Sequence, residues 1–481
     1  MEEQSIYRRA KPWQIRLYTL APGGIGNCFY LLMMYVSYIA NVGYGIVATV
    51  AGIIMTCTRI FDGVTDPICA FISDRISTKY GKIRILLAIG WAIMALSCWL
   101  MFIGGIGGGI VYFIVVYCLY IVGYTITSVA SNIATPVITN DPKQRPLLAR
   151  WQNIWTMATM MVLNMVVAAL FLPRYNNEYN LDCLQAMFYL VTGVSLVYLI
   201  ISCIAVSEAD KPENFEFGKK EEKQKLKIRD CWEMIKGNRA LQMYIVAAAS
   251  DKLALQTAGN TIFNTMLFGI LIGNMTMSVI GSALSMPVSI VAAILATKMA
   301  RTRGNKNALV WWTWFAIASA AACAVAFFAI DLSQVFKAAV PTVIFVLLRF
   351  VLMSAGQNGA SSCTGAMMAD IADYEAVRTG NFLPGTVAAC YSFVDKFISS
   401  FSSTIAALSV AVIGYTTVLP QPNDPASTPI LILTIIMTLG MPILGWLCTI
   451  FAMKFYPLTT EKMVEVQTKA HEIREAANQA S

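Results

Sequence analysis

Apolar blocks of twenty or more residues recur along almost the whole chain, separated by short polar loops. A block of that length crosses the hydrocarbon core of a bilayer as an α-helix. Helices are obligatory there, because lipid offers no partner to a free backbone N–H or C=O. The ten-residue alternation of a transmembrane β-barrel is not seen. Of 481 residues, 57% are hydrophobic and 13% charged, too little polar surface for a soluble chain of this size. The expected fold class is an all-α membrane protein of about twelve transmembrane helices in two six-helix bundles.

The spans are expected at Thr19–Ala40 (I), Gly45–Ile76 (II), Ile85–Gly104 (III), Val111–Ile138 (IV), Leu147–Leu172 (V) and Cys183–Val206 (VI). After a charged stretch they resume at Leu241–Ile272 (VII), Met275–Met299 (VIII), Ala308–Ile330 (IX), Ala338–Ile371 (X), Pro384–Thr417 (XI) and Thr428–Phe455 (XII). Residues 1–206 are thus read as one bundle and 240–456 as the other. Residues 207–239 are read as a solvated linker and 457–481 as a tail with a polar surface helix.

Basic residues orient the chain. Arg75, Lys79, Lys82 and Arg84 follow span II, Lys143 and Arg145 follow IV, and Lys298, Arg301, Arg303 and Lys306 follow VIII. The opposite loops carry only Arg174 and Lys337, so both termini and the linker are expected in the cytoplasm. The N-terminus has no cleavable signal pattern and reads as a cytoplasmic lead-in. The net charge of +8 resides in short loops rather than on one face, so nucleic acid is not an expected partner. The 12 cysteines lie mostly inside apolar runs and read as small hydrophobes. The single histidine, His471, lies in the tail, which leaves no histidine relay or histidine metal site. Gly23, Gly24 and Gly26, and the run Gly104–Gly109, follow no strand; they read as packing or turn glycines rather than phosphate loops. Trp311–Trp314 follows a basic loop as an interfacial aromatic belt. No reactive Ser/His/Asp or metal set is present, so a membrane-embedded transferase is the weaker alternative and the chain is not expected to be an enzyme.

Ionisable groups inside spans cost several kcal/mol unless paired or wetted, which makes them the informative residues. In span II, Asp62 and Asp66 are four residues apart and share a face, with Arg59 a turn earlier. Two such carboxylates can hold a small cation or share a proton; permanent neutralisation by Arg59 or Lys396 is the structural alternative. Lys396 in span XI lies roughly 20 Å from the cytoplasmic end, placed to meet span II, and Asp395 beside it points elsewhere. Span VII carries Asp251 and Lys252, neighbours on different faces, and span X carries Arg349, for which a packing ion pair and a substrate role are both open.

At span II the pattern becomes specific. RIFDGVTDP (Arg59–Pro67) followed by DRISTKYGKIR (Asp74–Arg84) resembles the signature of the glycoside–pentoside–hexuronide:cation symporters, the melibiose-permease-like branch of the major facilitator superfamily. The resemblance continues through YTITSVASNIATPVITNDPKQR (Tyr124–Arg145), MADIADYEAVRTG (Met368–Gly380), Lys396 and Ile413–Tyr415, so it covers both halves. It implies the major facilitator fold and a sugar importer of the bacterial inner membrane, working by alternating access with Na+ or H+ as coupling ion. It implies no cofactor, membrane lipids as surroundings, and a monomer.

By the same resemblance Asp62 and Asp66 are the cation-binding carboxylates, and would be the metal ligands were the ion sodium. Thr65 and Thr125 flank them, Lys396 links cation and sugar sites, and Arg150 lines the sugar pocket. The family's best-known member has aspartates where this chain has Cys28 and Ser128, and tryptophans where it has Asn132 and Ser361. Ser392 stands for a threonine and Asp395 for an aliphatic residue. With acids lost, and Lys252 and Arg349 adding positive charge, the expected substrate is an acidic sugar such as a hexuronide. A neutral pentoside or oligosaccharide held by Asp395, Asn132 and hydroxyls is the alternative.

Overall fold

A computed structural model describes residues 9–75, 81–139, 144–211, 234–379, 384–459, 461–466 and 468–469, and every regular element among them is a helix. In the first half these are α1 (Pro12–Met34), α2 (Val36–Tyr44), α3 (Ala48–Arg75), α4 (Ile83–Gly104), α5 (Gly109–Ile138), α6 (Arg145–Val166) and α7 (Leu181–Val206). In the second they are α8 (Arg239–Ala258), α9 (Thr261–Leu271), α10 (Thr276–Arg303), α11 (Asn305–Ala329), α12 (Ala339–Glu375), α13 (Pro384–Ser400), α14 (Ser402–Val412) and α15 (Thr428–Phe455).

Among the described residues, eight helices are long and apolar enough to cross a bilayer, and nine if α1 and α2, bent by 48°, form one span. The other expected spans are those with charge in mid-helix. Span II is α3, with Arg59, Asp62 and Asp66; span VII is α8 and α9, interrupted after Asp251 and Lys252 at Gly259–Asn260; span XI is α13 and α14, interrupted at Phe401 after Asp395 and Lys396. The whole set matches the twelve spans read from the sequence.

Span I begins earlier than Thr19. The polar-looking PWQIRLY is helical because Pro12 sits at its first turn and Gln14 Oε1 accepts from Lys11 N at 2.9 Å. Glu208 then holds the segment, accepting from Lys11 Nζ at 3.1 Å and from Gln14 Nε2 at 2.8 Å. Proline also explains several irregular turns. Pro22 lies inside the π-helical turn Ala21–Ile25, and Pro173 and Pro442 are the second residues after those at Val167–Phe171 and Ile436–Gly440. A proline cannot donate to the preceding turn, so the helix admits an extra residue there.

The described residues form two compact units. The first comprises those within Met1–Glu222 and Val410–Asn423. In it α4 and α5 pack closely, since a Cβ on Gly90 would stand 3.0 Å from the carbonyl oxygen of Gly123. Residues 410–423 belong to this unit: Tyr38 Oη donates to Pro420 O at 2.9 Å, and Tyr179 N donates to Gln421 Oε1 at 2.9 Å. Asp210 corrects the reading of residues 207–239 as a solvated tether. It is buried, and its carboxylate accepts from the backbone N–H of Lys82, Ile83 and Arg84 at 2.8, 3.0 and 2.9 Å and from Arg84 Nε at 3.2 Å. It thereby caps the start of α4, where unpaired N–H groups and the helix dipole attract a carboxylate.

The second unit comprises the described residues within Lys223–Ser409 and Asp424–Ser481. The MADIADYEAVRTG segment works here as a clasp: Asp370 Oδ2 accepts from Asn305 Nδ2 at 2.6 Å, and the buried Glu375 accepts from Arg378 at 2.7 Å and from Asn238 at 2.7 Å. Residues 212–233 of the linker, Lys79, Lys143 and His471 lie outside the described residues.

Candidate functional site

In the first unit the site is built on α1, α3, α5 and α6. Asp62 stands mid-way along α3, and Thr125 Oγ1 on α5 donates to its Oδ1 at 3.3 Å. Thr65, one turn beyond Asp62, is buried and returns its own hydroxyl to the Asp62 carbonyl at 3.0 Å. Thr125 is 1% exposed, so its hydroxyl has little recourse to water and is committed to the carboxylate. Arg59 is half-buried on the same helix. The structure thus brings Asp62, Thr65 and Thr125 into one group of oxygen donors, the ligand type that suits a hard monovalent cation or a proton. The side chains of Asp66 and Asn132 lie outside the described residues.

Beside this group is a cavity of about 430 Å³, within the range of small-molecule sites. From α1 come Asn27 and Tyr30; from α5 come Tyr124, Thr127, Ser128 and Ser131. Gln152 and Thr156 on α6 close the opposite side. Among the described residues the cavity is lined mainly by hydroxyls, amides and two phenol rings, with no Asp, Glu, Lys, Arg or His. Two local features hold its shape. Asn27 Nδ2 bonds Gly23 O at 2.9 Å and Thr156 Oγ1 at 3.3 Å, tying α1 to α6. Gly23 lets the helices approach, because a Cβ there would stand 2.5 Å from Gln152 O; the glycines of span I are packing residues, as their sequence context implied.

Some predicted pocket residues fall elsewhere. Cys28 is fully buried and it is its neighbour Asn27 that lines the cavity, because the π-helical turn at Ala21–Ile25 inserts a residue and rotates everything after it. Arg150 is exposed, and at 100° per residue it points some 200° away from Gln152, so it does not share the face that lines the cavity. Ser128 lies in the cavity wall as read from the sequence. Asn27, Tyr30, Gln152 and Thr156 escaped that reading; their signal was polarity inside apolar spans, which is costly unless used.

In the second unit Lys252 and Asp395 are ion-paired. The lysine side chain is 41% exposed and the aspartate 5%. Tyr391 Oη adds a hydrogen bond to Asp395 Oδ1 at 3.2 Å and stacks edge-on against Tyr244, ring centroids 5.1 Å apart. Asp251 faces away and accepts from Thr449 Oγ1 at 2.7 Å, so the two neighbouring charges serve different contacts. Lys252 is therefore a neutralised cation, partnered as a charge inside a span must be, and adds less positive charge than expected from sequence. Arg349 sits in the π-helical turn Val346–Leu352, its Nε buried with no hydrogen-bond partner, and among the described residues it has no ion pair. Ser361 and Ser392 are exposed, and Lys396 is half-buried on α13.

Comparison with known proteins settles the class of molecule. A family model described as MFS/sugar transport protein matches residues 20–460. The chain belongs to that family. Among curated proteins, this family member is similar to the inner membrane symporter YicJ of Escherichia coli (strain K12), 22% identical over 445 residues covering 90% of the chain and 89% of the relative. It is also similar to the glucuronide carrier protein homolog of the same organism, 21% identical over 462 residues and 92% of each. Its fold is shared with a crystal structure of a bacterial homolog of the human lysosomal transporter Spinster, with a TM-score of 0.63 at 11% identity, covering 95% and 99% of the two chains. It is likewise shared with that of a D-xylose-proton symporter, at a TM-score of 0.56 and 13% identity over 93% and 98%. The MFS sugar-transport chain is thus a multi-pass bacterial inner-membrane transporter of the glycoside–pentoside–hexuronide:cation symporter type, not an enzyme, and sugar and cation are its ligands.

Proposed function

We propose that this symporter imports a neutral sugar or glycoside, held in the cavity between Asn27, Ser128 and Gln152, on a cation bound at Asp62. The composition of the cavity wall carries the reading. Neutral donors and acceptors match sugar hydroxyls, and the rings of Tyr30 and Tyr124 offer apolar faces with polar tips. A carboxylate substrate would leave its charge without a cationic partner among these residues, at a large desolvation cost. The ion pair of Lys252 with Asp395 supports the same conclusion, since it balances one of the two charges that had favoured a hexuronide.

Coupling runs through α5. Thr125 bonds Asp62 while the adjacent Tyr124, and Ser128 one turn on, line the sugar cavity. A cation drawn to Asp62, Asp66, Thr65 and Thr125 compensates the carboxylates and fixes the rotation of α5, and with it the sugar contacts. Each positive charge moving inward gains about 2.3 kcal/mol per 100 mV of membrane potential, which drives accumulation if neither ligand alone permits the exchange of sides. Sodium and a proton both suit these oxygens.

The acidic reading keeps two supports, the half-exposed Lys252 and Arg349, which has no ion pair among the described residues. Binding of a neutral glycoside and of its uronic acid to the purified protein separates the two. The neutral sugar is expected to bind at least about tenfold more tightly, the cost of one poorly compensated charge; tighter binding of the uronic acid would overturn the assignment.

A further inference from the structure

The wall of the sugar cavity carries a direction as well as a composition. Asn27 and Thr156 both line it, from α1 and α6. A backbone carbonyl can only accept, so the Asn27 side-chain atom 2.9 Å from Gly23 O is the nitrogen. The amide cannot turn over without setting two acceptors against each other. The second hydrogen on that nitrogen goes to Thr156 Oγ1 at 3.3 Å. Both amide hydrogens are thus spent. Asn27 Oδ1 takes no donor among the described residues, and it is not one of the buried unpaired atoms, so it opens onto the cavity as a pure acceptor.

Thr156 is its complement. The threonine oxygen already accepts from Asn27, and its own proton meets no acceptor among the described residues. A threonine hydroxyl has one proton to give, so Thr156 presents a donor beside the Asn27 acceptor. Amide geometry and the 3.3 Å contact leave Asn27 Oδ1 and Thr156 Oγ1 roughly 4–5 Å apart, so one oxygen at about 2.8 Å from each reaches both. Ser128 and Gln152 carry no such direction. Neither makes a hydrogen bond among the described residues, so each can rotate to suit a donor or an acceptor.

We propose that Asn27 and Thr156 select one hydroxyl of the sugar, which donates to Asn27 Oδ1 and accepts from Thr156 Oγ1. This rests on the neutral-sugar reading above and adds which chemical groups are admitted at that place. A hydroxyl fills both roles with one oxygen. A fluorine, methoxy or keto group only accepts, and sets a second acceptor against Asn27 Oδ1. An ammonium group donates but cannot accept from Thr156. A bare C–H leaves both side chains unpaired once the sugar has displaced their water, and a site built to hydrogen-bond a substrate hydroxyl discriminates strongly against an analogue that lacks it.

Equilibrium binding to the full-length protein in detergent tests this with the methyl glycosides of xylose, glucose and galactose, then with every monodeoxy and monodeoxyfluoro form of the tightest. On the wild type, one ring position is expected at which the deoxy and fluoro forms each bind about tenfold or more weakly than the parent. In Thr156→Val, and separately in Asn27→Leu, the deoxy penalty at that position falls at least about threefold, while penalties elsewhere on the ring keep their wild-type values. The fluoro form regains affinity relative to the parent in Asn27→Leu, where the opposing acceptor is gone, and not in Thr156→Val. A structural role alone would weaken parent and analogues together and leave every ratio unchanged. A wild type indifferent to each single deoxygenation, a fluoro form that matches the parent at the sensitive position, or a deoxy penalty unchanged in both variants would each overturn the pair. Failure of all three glycosides to bind the wild type would strike the neutral-sugar reading itself, and the pair with it, whereas the other outcomes leave that reading standing.

Discussion

A carboxylate at mid-membrane is costly unless something shares its charge, and at Asp62 one group that does so is the Thr125 hydroxyl. Thr125→Val removes that bond and keeps the shape. A hydrogen bond to a charged group contributes about 1.5–3 kcal/mol, so the cation concentration for half-maximal sugar binding should rise about tenfold or more, while sugar affinity at saturating cation changes little. An unchanged cation requirement would detach Thr125 from the ion. Lys252 and Asp395 behave differently, because the aspartate is buried and the lysine is partly in water. Lys252→Met strands the aspartate with Tyr391 alone and should cost about 2 kcal/mol of stability, less than a fully buried pair because water still reaches the site. Adding Asp395→Leu should return most of it in a thermal-unfolding double-mutant cycle; strictly additive losses would mean that the pair is not coupled. The carboxylate was legible in the sequence as a charge inside an apolar span, and the threonines through the family resemblance. The pairing of Lys252 with Asp395 was not, since residues 143 positions apart meet only through tertiary packing.

At the scale of elements, hydropathy located every span, and failed where backbone irregularity or capping intervened. Cys28, carried over from the family resemblance, is buried away from the cavity, and the π-helical turn before it has no signature in the sequence. Asp210 was hidden in a run of charged residues, where a cap for a helix more than a hundred residues earlier cannot be read from local pattern. Asp210→Ala should destabilise the first unit by about 2 kcal/mol, at the upper end for a lost cap, because three backbone donors and an arginine lose their acceptor together. The check is the unfolding temperature, together with faster proteolysis between α3 and α4. Asp210→Asn, which keeps one acceptor oxygen, should fall between the two; a neutral Asp210→Ala would show that water replaces the carboxylate without loss.

For the whole molecule, two halves of like hydropathy were visible before any coordinates, and so was the family, through motifs that carry its charges. The substrate was harder to read, since it depends on which polar residues converge on one cavity. Asn27, Tyr124, Ser128 and Gln152 come from three separate helices and no single segment announces them. The central claim is that the sugar gradient is built by a cation acting at Asp62. The direct measurement is sugar uptake into proteoliposomes under an imposed inward Na+ or H+ gradient, comparing the wild type with Asp62→Asn. The wild type should concentrate a neutral sugar above the external level only while one of these gradients lasts, and Asp62→Asn should at most equilibrate it. Accumulation undiminished in Asp62→Asn, or a wild type that only equilibrates sugar under either gradient, would contradict the account.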